Sequence, residues 1–129
     1  MAQVKIYGSR DSLIATRPQW SDLIHNALVA TLGLPAEKRF QRFFPMAPED
    51  FLYPSDRTYA YTVIEISMFE GRAPESLKAL IRKIMADAQT VLNMGANDIE
   101  ITITETPRHC WGIRGMTGDE LQLGYKINV

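Results

Sequence analysis

Residues 108–120, RHCWGIRGMTGDE, hold one of the two histidines, the only cysteine and one of the two tryptophans of the 129-residue chain, as His109, Cys110 and Trp111. These types suit metal ligation or nucleophilic chemistry, so the spacing decides. On an extended segment His109 and Cys110 point to opposite sides, and no spaced second Cys or His pair completes a zinc site. No Gly-x-Ser-x-Gly elbow or phosphate-cradling glycine loop accompanies them, which leaves hydrolysis by a serine nucleophile and nucleotide binding without support. Arg39, Arg42, Arg72 and Arg114 carry guanidinium groups, which serve either to grip a carboxylate in bidentate fashion or structurally. Ion pairs with Glu37, Asp50, Glu70 or Asp119 are the structural use of the same side chains. Asp56 and Arg57 read as a turn with a local ion pair, His25 as a packing residue and Cys110 as a thiol without function.

The elements that position these groups follow from the apolar pattern. VKIY alternates as a short strand ending near Gly8, and Thr16 with Pro18 opens a helix whose face is Trp20, Leu23, Ile24, Ala27, Leu28 and Thr31, stopped by Gly33. KRFQRFF reads as a strand ended by Pro45 and Pro48, and YAYTVIEISMF as a central strand. Pro74 and Glu75 start a second helix with the stripe Leu77, Leu80, Ile81, Ile84, Met85, Ala88, Val91 and Leu92. DIEITITET follows as a strand with Ile99, Ile101 and Ile103 on one face, and the tail LQLGYKINV as a further short strand.

The segments starting at Leu32 and Leu92 each follow a strand and a helix, so the chain reads as two copies of one β-α-β unit. The expected organisation is a single α+β domain over 1–129, with repeat one at about 3–45, repeat two at about 60–106 and a C-terminal segment at 107–129. Right-handed crossovers place both units in one four-stranded sheet with both helices on one face. The other face then needs a cover, and identical subunits supply it, which predicts a closed homo-oligomer.

The stretches LPAEKRFQRFFPMAPEDF, YTVIEISMFEGR, ANDIEITITETP and WGIRGMTGDEL, in that order between Gln3 and Val129, resemble the tautomerase superfamily in its malonate semialdehyde decarboxylase-like branch. The resemblance implies a homotrimer with three sheets facing inward and a pocket for a small carboxylate. It implies a reactive N-terminal proline once methionine is removed; here that position is Ala2. The amine of Ala2 is therefore the expected acid or base, a primary amine with a reference pKa near ~7.7–8.0. Arg39 and Arg72 match substrate-binding positions, whereas Glu70 replaces a second arginine and Lys38 falls where a water-orienting carboxylate would stand, so decarboxylation is not expected. Trp111 becomes a wall of the pocket mouth, with His109 and Arg114 as neighbours; anchoring an interface is its alternative use.

The functional expectation is a tautomerase or isomerase acting on a small oxo or enol acid, with no cofactor and no metal. The alternative is a trimer that binds a small molecule or serves structurally without proton transfer. A net charge of −1 and 46% hydrophobic residues give nucleic acid and anionic membranes little to hold, and with no signal-like start or apolar span the expected compartment is the cytoplasm.

Overall fold

A computed structural model describes residues 2–129. Strand β1 (Ala2–Ser9) leads into helix α1 (Arg10–Leu32) and strand β2 (Gln41–Met46); strand β3 (Thr62–Phe69), helix α2 (Pro74–Val91) and strand β4 (Ile99–Thr106) repeat the pattern. The sheet order is β2-β1-β3-β4, with β1 parallel to β2, β3 parallel to β4, and the two units joined antiparallel along β1 and β3. A two-stranded ribbon, β5 (Gly112–Ile113) and β6 (Met116–Thr117), is separate.

Alternation decides which face is covered. Val4, Ile6, Ile64 and Ile66 are at most 1% exposed beneath Trp20, Ile24, Leu80 and Ile84 of the helices, while Lys5, Glu65, Glu100 and Thr102 face away. Each such aliphatic side chain contributes about 1.5–3 kcal/mol on burial. The bare face carries Tyr7 stacked on Phe44 at 4.8 Å between ring centroids.

Three local expectations change. α1 begins at Arg10 instead of near Thr16, so GSRDS is not a turn region and Pro18 lies inside the helix. Pro18 is exposed, so the carbonyl it leaves unpaired can be hydrated, and the buried stripe of Leu13, Trp20, Ile24 and Leu28 continues through it. β2 continues through Pro45, which an edge strand tolerates because one side of its ladder is open. The tail 121–129 forms no strand; Leu121, Leu123 and Ile127 instead pack with Phe69 and Trp111 in a second apolar cluster.

The C-terminal segment is fixed by close contacts. Arg108 donates from Nε to the Gly118 carbonyl at 2.9 Å and from Nη2 to the Leu121 carbonyl at 2.8 Å, with its guanidinium over the Phe69 ring. A Cβ at Gly118 would lie 2.5 Å from the Arg108 carbonyl oxygen, so no other residue fits there without moving backbone. Among the described residues no helix is long and apolar enough to cross a membrane.

Candidate active site

One end of the sheet gathers the start of β1, the start of β2 and the end of β3: Val4 pairs with Gln41 and Ala2 with Met68. Helix α1 stops at Gly33, whose φ of 67° is the left-handed conformation that glycine adopts without strain. The loop that follows turns back over this end. Leu34 is buried, the Lys38 amide donates to the Pro35 carbonyl at 3.2 Å, and His25 Nε2 lies 2.7 Å from the Ala36 carbonyl oxygen. Since a carbonyl only accepts, that imidazole nitrogen carries the proton.

The loop sends two adjacent cations in different directions. Arg39 Nη1 donates to Asp22 Oδ1 at 2.7 Å and to Ser21 Oγ at 2.9 Å on the flank of α1. Lys38 instead lines a cleft that has Ala2, Val4, His25 and Leu28 at its inner end. The inner end has room for about 20 Å³, a single water. The adjoining mouth, about 290 Å³, shares Pro35, Lys38 and Tyr125 with it and also includes Glu37, Gln122 and Arg114. Arg114 is presented by a tight turn, with φ of 54° followed by Gly115 at 78°.

The structure thus places two of the six expected site residues, Ala2 and Arg114, on two adjoining recesses that share Pro35, Lys38 and Tyr125. Arg39 is engaged with Asp22 and does not line the cleft. Arg72 is 5% exposed; its Nη1 donates to the Phe69 carbonyl at 2.9 Å, while Nε and Nη2 have no partner. Burial pushes its guanidinium pKa down, and Glu105 opposes that shift. Ile127 packs against Gly71 and Val129 accepts the Ala73 amide, so the C-terminal segment lies over this region. Trp111, 9% exposed, packs edge-on against Phe69 at 5.0 Å, and His109 is exposed. Residues 108–110 form a 3-10 turn instead of an extended run, and among the described residues no group of three metal-ligating side chains occurs. Met1 lies outside the described residues.

Sequence reasoning passed over His25 as a line of the cleft and did not single out Tyr125. Their signals are weak: His25 keeps the spacing of an ordinary packing position, and Tyr125 sits in a tail without periodicity.

Fold and cleft together define a small domain of two β-α-β units with recesses at one end of its sheet. A family model described as tautomerase enzyme matches residues 38–114, more than half of the chain. The chain belongs to the tautomerase superfamily. It is 32% identical over 57 residues to 2-hydroxymuconate tautomerase of Comamonas testosteroni, covering 44% of this chain and 90% of that protein. FG41 malonate semialdehyde decarboxylase inhibited by 3-bromopropiolate superposes with a TM-score of 0.75 at 25% identity, over 85% of this chain and 87% of that one. Native fused 4-OT shares the fold, with a TM-score of 0.79 at 20% identity over 92% and 98% of the two chains.

Proposed function

We propose that the protein interconverts the enol and keto forms of a small 2-oxo acid, using the amine of Ala2 freed by removal of Met1. The observation that carries this reading is the placement of Ala2 at the inner end of a cleft whose mouth holds Lys38 and Arg114. The two cations hold the carboxylate by charge-assisted hydrogen bonds in the mouth. The amine takes the enol oxygen's proton and returns a proton to the neighbouring carbon, so the step is a net isomerisation. The 2-hydroxymuconate tautomerase relative supports this substrate class.

Arg39, Arg72, Trp111 and His109 are proposed to support the fold of the site, not to touch the acid. Self-association into a trimer is proposed on the bare sheet face, with Lys5, Tyr7 and Phe44 among its residues. A fused 4-OT of the same fold is described as an asymmetric trimer, which supports it.

A second reading, binding without proton transfer, is favoured by alanine at the amine position, because a primary amine replaces the cyclic one. The two separate by following ketonisation of phenylenolpyruvate and 2-hydroxymuconate in the ultraviolet, with the N-terminus verified by mass spectrometry. Turnover above buffer that rises further in Ala2→Pro supports the tautomerase; acid binding with turnover only in Ala2→Pro supports the binding protein.

A further inference from the structure

Among the described residues Tyr125 is the only tyrosine that lines both the inner end of the cleft and its mouth. Its ring packs against the main core, while its hydroxyl is shielded from solvent and has no hydrogen-bond partner. Such a group is an exception in folded proteins, because a buried donor left unmade forfeits the bonds that water gave it in the unfolded chain. Two polar neighbours at the inner end are already engaged elsewhere, while Lys38 also lines it. His25 Nε2 serves the Ala36 carbonyl, and the Gln41 amide bonds the hydroxyl and carbonyl of Ser21.

We propose that Tyr125 hydrogen-bonds the oxygen on C2 of the acid, keto or enol, and so selects 2-oxo and 2-enol acids over plain carboxylic acids. This rests on the acid-binding reading of the same cleft and adds a specificity to it. The order of groups along the cleft supplies the argument. Arg114 stands at the mouth, Lys38 and Tyr125 where mouth and inner end meet, and Ala2 at the inner end. In a 2-oxo acid the carboxylate, the C2 oxygen and the proton-bearing C3 follow in the same order. A phenol donor at the C2 oxygen also meets the negative charge that builds there as the proton moves, so the bond strengthens along the reaction. Tyr125 keeps its own proton throughout; the transferred one passes between the ligand and the amine. A site built to bond an oxygen rejects the analogue that lacks it, since its own polar group is then left unpaired.

The test is calorimetric titration of the full chain with phenylpyruvate and with 3-phenylpropanoate, which lacks the C2 oxygen. Wild type is expected to hold phenylpyruvate about tenfold more tightly, and Tyr125→Phe to bring the two acids within about twofold by weakening phenylpyruvate alone. Lys38→Ala is expected to weaken both acids. Without ligand, Tyr125→Phe should keep the wild-type assembly in sedimentation and melt no lower, because it deletes a hydroxyl that bonds nothing in the protein. The proposal is overturned if Tyr125→Phe keeps the preference, weakens both acids alike, melts lower or changes assembly. Equal binding of both acids by wild type, with Lys38→Ala weakening each, removes the role of Tyr125 and leaves the cleft as an acid site. Binding of neither acid removes both.

Discussion

Arg39 Nη1 sits 2.7 Å from Asp22 Oδ1, so the guanidinium next to Lys38 in sequence is held against the flank of α1 while Lys38 lines the cleft at Ala2. Two consecutive cations therefore have separable work. Lys38→Ala should weaken carboxylate binding by about 10- to 100-fold, the value of a charge-assisted bond. Arg39→Ala should leave binding within about twofold and cost less than about 1 kcal/mol of stability, as exposed ion pairs do. Titration calorimetry and denaturant unfolding of both variants check the pair, and equal losses of binding would contradict the division.

Arg72 carries two buried donors with no partner and a guanidinium whose charged form burial disfavours. An apolar side chain of similar length removes that cost. Arg72→Met is expected to raise unfolding stability by about 1 kcal/mol and to leave carboxylate affinity unchanged. A fall in stability would show that another protomer or a bound anion satisfies those donors.

Glu100 lies on the bare sheet face, where the Tyr61 hydroxyl and then the Arg57 guanidinium hold its carboxyl below the ordinary 4.5. Arg57 Nη2 donates to Glu100 Oε1 at 3.1 Å. A pKa depressed by folding adds stability above the unfolded value, and that gain is lost as pH falls through the folded value. Glu100→Gln should therefore be less stable than wild type at pH 7, by at most about 1 kcal/mol given the exposure of the carboxylate. The difference should vanish in thermal melts below the folded value, and one that persists there would contradict the assignment.

Much of the fold is legible in the sequence because burial imposes its period on it. The alternation through Ile99, Ile101 and Ile103 and the helical stripe from Leu77 to Ala88 each match a face of the structure, whereas Val91, expected on that stripe, is 57% exposed. The start of α1 is not legible, since Ser9 makes no side-chain cap and Pro18 imitates a first-turn proline. The tail is not legible either, because Leu121, Leu123 and Ile127 pack irregularly around Trp111. Within the candidate site, Ala2 and Arg114 could be named from the family resemblance. The opposite directions of Lys38 and Arg39 could not, since they depend on Asp22 and on the His25 contact that shapes the loop.

The amine of Ala2 is the centre of the proposed chemistry, and blocking it tests the proposal directly. Two preparations of the same chain, one starting at Ala2 and one retaining Met1, are to be compared in phenylenolpyruvate ketonisation across pH. The chain starting at Ala2 should turn over above buffer, with a rate that rises with pH as the amine loses its proton. The Met1 chain should be inactive while binding phenylpyruvate. Equal rates in the two, or none in either, would contradict an amine catalyst at Ala2.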